Sequence, residues 1–116
     1  MSRDLESLID IERAVQRILR FSDGVKRSEL ISNEEKISAI LYQITIIGEA
    51  TKRLTMEFRQ THPEIPWRNL AGMRDILIHE YDQVDIDIVW DVIRNELPQL
   101  LEYIRPLLSS LEQPPP

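Results

Sequence analysis

Arginine, histidine and tyrosine stand at 74, 79 and 81 in the stretch RDILIHEYDQVD (74–85). These residue types suit chemistry on a phosphate. Arginine holds a phosphate oxygen pair through charge and forked N–H donors. Histidine titrates near ~6.5, so both of its protonation states are accessible. Arg74 and His79 are five positions apart, and on one continuous helix they would lie ~140° apart around the axis and ~7.5 Å apart along it. They would not share a stripe, yet a long arginine side chain and a histidine at a frayed end can converge on one phosphate. Tyr81, seven positions after Arg74, would share its stripe if the helix continued. By residue type alone, a helix-end histidine beside an arginine that pairs with a nearby acid is the stronger reading.

Other chemistries have less behind them. His62 lies in the proline-bracketed THPEIPW segment and reads as a surface turn residue. A metal site from His79, Glu80, Asp82, Asp85 and Asp87 can be drawn, but acids crowding a helix start are explained by capping and the helix dipole. Their spacing also lacks the glycine turn and distal glutamate of a calcium loop. No metal and no cofactor is expected, and no serine or cysteine nucleophile is evident.

The elements that must position these residues are helical. Leu5, Leu8, Ile11, Val15, Ile18 and Leu19 recur at three- and four-residue steps and predict a helix over 4–22, stopped by Asp23-Gly24. After a polar connector, KRSELIS, Ser32 or Asn33 caps a second helix that reaches about Arg59, with Glu34 and Glu35 in its first turn. It carries one strong apolar stripe (Ile37, Ile40, Leu41, Ile44, Ile47, Thr51, Leu54, Phe58) and a weaker one (Ala39, Tyr42, Ile46, Ala50). That predicts a central helix touching neighbours on more than one side. Gly48 within it costs roughly 1 kcal/mol relative to alanine and marks a close helix–helix approach. Pro66 suits the first position of a third, short helix ending near His79. Residues 81–84 read as a connector, and Asp85 caps a fourth helix. Pro98 should kink or break that helix at Leu97, and Pro106 should end it early. The expected fold is all-α, an antiparallel bundle of four to five helices over 1–111 with a disordered proline-rich tail at 112–116.

The 116 residues fit one domain. Apolar residues at 42% and charged residues at 29% give a globular balance. The absence of cysteine excludes thiol chemistry and fits a reducing cytosol. No secretory signal and no membrane-spanning window of ~18 apolar residues is visible, so a cytoplasmic protein is expected. The net charge of −6 argues against broad nucleic-acid binding. Lys52, Arg53, Arg59, Arg68 and Arg74 against Glu57 and Glu64 nonetheless make a local +3, leading directly into the opening motif.

RDILIHEY resembles the RxxxxHxY signature of HEPN-domain ribonucleases, in particular the HepT-like toxins of toxin–antitoxin pairs. IIGEATKRL (46–54), HPEIPWRNLAGMR (62–74) and VDIDIVWDVIRNELP (84–98) sit where that family has them, and the resemblance covers about residues 4 to 105. It implies a HEPN-like helical bundle that dimerises and brings two arginine–histidine pairs into one cleft for metal-independent RNA cleavage. Arg74 would stabilise the phosphorane-like transition state, and His79 would transfer protons. Since each chain offers one such histidine, a symmetric homodimer supplies both acid and base. Tyr81 corresponds to the tyrosine to which a cognate MntA-type minimal nucleotidyltransferase adds AMP, silencing the toxin. Glu49, an acid that looks buried, Arg53 and Asp75 are candidate supports. Asp75 stands where many such motifs carry asparagine or another polar residue. The competing expectation, favoured by Asp75 and the acidic charge, is a non-catalytic helical module that binds and regulates a nucleotidyltransferase.

Overall fold

In the computed structural model, residues 2–79 and 83–112 are described, with 76, 78, 79 and 83 described through their backbone alone. Helix α1 (Arg3–Phe21) starts at Ser2, whose hydroxyl accepts from the Leu5 N–H. Its buried line of Leu5, Leu8, Ile11, Val15 and Ile18 is the one the periodicity predicts. The chain then turns through Gly24, whose φ of 72° is the left-handed conformation that favours glycine.

Helix α3 (Glu34–Arg53) begins at Asn33, whose side chain accepts from the Lys36 N–H. It runs antiparallel to α1. Near α1's start, Asp4 accepts from both the Thr55 N–H (2.8 Å) and the Thr55 hydroxyl (2.9 Å), just past the end of α3. Near α1's end, the Phe21 carbonyl accepts from Lys36 Nζ at 2.7 Å. Ile40, Ile44 and Ile47 are completely buried. As expected, α3 packs on more than one neighbour: α1, α5 (Trp67–Ala71) and α6 (Met73–Leu77). Of the weaker stripe, Ala50 is buried and Ile46 packs against the core, whereas Tyr42 is 65% exposed.

Several boundaries differ from the sequence expectation. The connector 25–32 contains a short helix, α2 (Arg27–Ile31), which is too brief to show a period. The helix expected to reach Arg59 breaks at Leu54, whose ψ of 142° is extended. Thr55 then caps α4 (Met56–Thr61) by accepting from the Phe58 N–H. Aromatic contacts, Phe58 to His62 (4.6 Å) and Phe58 to Trp67 (5.9 Å), fold the following loop onto α4. His62 is therefore a half-buried packing residue, not merely a surface one, and its carbonyl accepts from the Trp67 indole N–H.

The third expected helix is split at Gly72 into α5 and α6, and it ends at Leu77. The backbone then goes extended in β1 (Ile78–His79), which pairs antiparallel with β2 (Gln83–Val84) in the register Ile78↔Val84 and His79↔Gln83. The Asp85 N–H donates to the Leu77 carbonyl (2.9 Å) and closes the base of the ladder. As expected, Asp85 caps α7 (Ile86–Asp91) through the Ile88 N–H.

Pro98 acts one turn earlier than its own position. Lacking an N–H and crowding the Arg94 carbonyl, it follows a π-helical turn (Val92–Glu96) in which the Leu97 N–H reaches back to the Val92 carbonyl. Helix α8 (Leu97–Glu112) continues past Pro106, so Pro106 does not end it. Leu108, two residues on, is buried and holds the helix to the core. Arg94 donates to the Val25 carbonyl (2.9 Å) and stacks on Trp90 (4.4 Å), while Arg27 pairs with Asp87. These contacts tie the start of the α7–α8 rod to the turn after α1, so the rod runs back along α1. Three long rods thus form an all-α globule completed by short helices. Counting the rod as one, seven helices are present among the described residues, in place of the four or five expected. None is long and apolar enough to cross a membrane.

Candidate active site at the end of α6

Arg74 lies on α6, one of the shortest helices, whose Met73 and Leu77 are buried (5% and 0% exposed). A side chain 100° round the helix from Met73 must face outward, and Arg74 is exposed. Among the described residues it takes part in no ion pair. Asp75, next along the helix, is exposed too.

The position of α6 comes from α3. A Cβ added at Gly48 would meet the Ala71 carbonyl oxygen at 3.2 Å and the Leu70 carbonyl at 3.6 Å. With any larger residue the Ala71 carbonyl would have to give by a few tenths of an ångström, so glycine fits α3 against the end of α5, the close approach its placement predicted. Gly72 then breaks the chain between α5 and α6. Arg74 is therefore placed by backbone packed on backbone.

The helical geometry first applied to Arg74 and His79 does not hold, because the helix ends between them. His79 stands in the extended β1 backbone, two residues beyond Leu77, and its partner Gln83 is on the return strand. The rotation of ~140° is replaced by a change from helix to strand, and the shared stripe suggested for Arg74 and Tyr81 has no helix to run on. Tyr81, Glu80 and Asp82 lie outside the described residues.

The supporting candidates fall elsewhere. Glu49 is not buried: its side chain is 64% exposed and pairs with Lys52 at 3.7 Å. It follows Gly48 on α3 and points away from the line Ile40, Ile44, Ile47 and Thr51. Arg53 donates to Asp10 on α1 at 3.0 Å, so it joins the two long helices. The local basic excess thus sorts itself. Lys52 and Arg53 are paired, and Arg59 has a buried Nε with no hydrogen-bond partner among the described residues. Arg68 and Arg74 remain exposed on α5 and α6, outside any ion pair among the described residues.

Sequence reading missed the groove beside α6. Asn69, Met73 and Glu96 are shared by two adjoining hollows between α5–α6 and the π turn with α8. Burial, followed by the nearby Asp91 carboxylate, raises the Glu96 carboxyl above its ordinary value of 4.5. Residues 69 and 96 lie far apart in sequence, so no local motif joins them. The available signal was Pro98, whose distortion of the preceding turn could have drawn attention to that segment.

Among the described residues, no group of three or more histidines, cysteines or acids is placed to hold a metal. Among the described residues, the site offers an exposed guanidinium outside any ion pair at a helix end and a histidine backbone fixed by a strand pair.

Comparison with known proteins agrees on one family. Residues 11–107 match the family described as HepT-like, Ribonuclease HepT-like. A protein of Thermococcus cleftensis named "Probable ribonuclease HepT" is 37% identical over 93 residues, 80% of this chain and 84% of the relative. A Methanocaldococcus jannaschii protein named "Putative RNase" is 34% identical over 112 residues, 96% of this chain and 97% of the relative. A longer protein of the same organism, named "Gamma-glutamylcyclotransferase and putative RNase", is 32% identical over 114 residues, 97% of this chain and 51% of that protein. No solved structure matches the chain. With the family match spanning most of its length and relatives alike from end to end, this chain belongs to the HepT-like ribonuclease family.

Proposed function

We propose that this protein is the ribonuclease toxin of a toxin–antitoxin pair and cuts RNA through Arg74 and His79. The observation that carries this reading is the state of Arg74. It is exposed, outside any ion pair among the described residues, and held on a helix that ends two residues before His79. An exposed cation outside every ion pair among the described residues is available to an incoming phosphate. In the reaction the RNA 2′-oxygen bonds to the adjacent phosphorus as its proton passes to a base. The P–O5′ bond breaks, and an acid protonates the leaving oxygen. Arg74 stabilises the extra negative charge on the phosphoryl oxygens. One His79 per chain serves one of the two proton transfers, and a two-fold homodimer brings the second.

Control is assigned to Tyr81. A nucleotidyltransferase partner that adds AMP there places a phosphodiester charge and a nucleoside beside Arg74, which occupies the phosphate site and repels RNA. Purified protein without that partner should cut RNA, and His79→Ala should abolish cutting with helicity and melting unchanged. Intact-mass measurement of protein co-expressed with the nucleotidyltransferase should show AMP-sized additions mapping to Tyr81, and additions confined to other residues remove its role.

A second reading, a non-catalytic module that only binds and regulates a nucleotidyltransferase, is favoured by exposed Asp75 beside Arg74 and by the net charge of −6. It wins if wild-type protein binds the partner tightly yet leaves every RNA tested intact.

A further inference from the structure

The groove alongside α6 has a form the cleavage reading does not use. One wall is α5–α6, through Asn69, Met73 and Leu77, and the other is α7 with the π turn, through Ile88, Val92 and Glu96. This part encloses about 260 Å³, below the roughly 300–1,000 Å³ of drug-sized pockets and on the scale of one planar heterocycle. The adjoining hollow continues along α8, over Leu70 and Leu100 to Tyr103, whose ring is 37% exposed at the rim.

The polar groups in the groove are few and of complementary type. Glu96 offers two acceptor oxygens and Asn69 an amide donor. Neither makes a side-chain hydrogen bond or ion pair among the described residues, whereas nearby Asp91 accepts from Asn95 (2.7 Å). Glu96 and Asn69 are exposed residues on the two walls, open to an incoming ligand. Desolvation, then Asp91, holds the Glu96 carboxyl above its ordinary range, so N–H donors from a ligand would stabilise its charged form. A phosphate is the wrong ligand, since Asp91 and Glu96 repel it.

We propose that this groove binds a guanine base of the RNA substrate, with Glu96 accepting from the base N1–H and N2–H and Asn69 donating to O6. Single-stranded RNA is read in this manner, through aromatic or apolar contact with the base face and hydrogen bonds to its Watson–Crick edge. Among the four RNA bases, guanine alone presents two adjacent donors beside an acceptor on that edge. Met73 lines the apolar wall with Leu77 buried behind it, and Tyr103 closes the far end. The groove and Arg74 occupy neighbouring faces of one helix. Faces 100° apart on a cylinder about 10–12 Å across are roughly 8 Å apart, a separation one nucleotide spans. The base next to the phosphate held by Arg74 therefore reaches the groove. The residues place substrate and set specificity, and they stand apart from proton transfer. This inference rests on the ribonuclease reading for its substrate, and its test separates the two.

The full-length protein is incubated with RNA oligonucleotides carrying guanosine, inosine, adenosine, cytidine or uridine beside the cut. In parallel, ¹⁵N-labelled protein is titrated with guanosine and adenosine monophosphates. Wild type should prefer guanosine and cut the inosine substrate, which lacks the N2 amino group, more slowly. Glu96→Gln and Asn69→Ala should each reduce cutting at guanosine by about 5- to 100-fold, the range for a base-reading contact, with the other substrates changed little. Guanosine monophosphate should shift the Asn69 and Glu96 amide signals more than adenosine monophosphate does. Cutting without base preference, or a guanosine preference unchanged in both variants, overturns the guanine site and leaves cleavage standing. Guanosine-selective shifts in a protein that cuts no RNA support the groove and overturn the cleavage reading. Absence of both overturns both.

Discussion

The pairing of α1 with α3 and the segment from α5 to β2 are built on opposite plans. The first joins two helices of 19 and 20 residues by interlocked isoleucines and leucines and fastens them at both ends with polar ties from Asp4, Asp10 and Lys36. The second uses helices of five residues, a glycine break and strands of two residues. Among its described side chains, Trp67, Leu70, Met73 and Leu77 are buried, and the polar ones, Arg68, Asn69, Arg74 and Asp75, are exposed. Helices that short are not stable alone, so the second region takes its shape from the first. The contrast teaches where stability and chemistry are separated. The long pair makes a scaffold, and the short pieces place an exposed Arg74 and the His79 backbone at its edge.

If that division is right, replacing site residues should cost activity and little stability. His79→Ala should lower RNA cleavage by about 10²–10⁴-fold, and Arg74→Ala by about 10²–10³-fold, each with an unfolding midpoint near wild type in urea. A large loss of stability in either variant merges the two regions and breaks the contrast.

Gly48 is where the regions touch, so Gly48→Val should damage both. Its side chain has to displace the Ala71 carbonyl, which already stands 3.2 Å from where a Cβ would be. Overpacking of that kind costs about 1–3 kcal/mol. Chemical denaturation should show the loss, and single-turnover cleavage should fall with it. Unchanged cleavage in a destabilised variant means that α3 does not position Arg74.

Within the scaffold, Asp4→Ala removes the acceptor for the Thr55 N–H and hydroxyl. It should cost about 1 kcal/mol with cleavage per folded molecule unchanged. Arg53→Ala breaks only an exposed pair with Asp10 and should stay within about 0.5 kcal/mol. A drop in cleavage there without a drop in stability returns Arg53 to the list of site supports.

The smallest effect on stability belongs to Glu96. Its folded carboxyl holds a proton more tightly than the unfolded one, chiefly through burial. Its contribution to stability is therefore full below the ordinary value of 4.5 and is lost as pH rises through the higher folded value. Glu96→Gln should melt slightly above wild type at pH 7, with the advantage vanishing in acid. An advantage equal at both pH values assigns the effect to packing.

The same contrast explains what could be read from sequence. The long helices announce themselves through period, caps and Gly24, and their boundaries fall within a residue of expectation at 3–21 and 34. The RxxxxH spacing and Asp85's capping role were equally legible, since each depends on neighbours in sequence. Elements of five residues or fewer, such as α2, α6 and the ladder, have no period to detect and exist because a distant surface holds them. The break at Thr55 was half-visible, because threonine before Glu57 is a cap signal, but the Asp4 that fixes it lies 51 positions away. Pro106 misled for a related reason: the burial of Leu108 offsets the missing hydrogen bond at an exposed turn. Glu49 looked buried because Ile47 and Gly48 before it are, and one step of 100° carries it into solvent.

The contact at Gly48 also bears on how such a protein changes over generations. Arg74 is positioned against α3 by carbonyl groups, which every residue possesses, and by one absent side chain. The isoleucines and leucines around it can exchange for one another where volume is conserved, while the contact of Gly48 with the Ala71 carbonyl leaves little room for an added atom. Variation should therefore run higher in the interior identities than at this one unremarkable glycine.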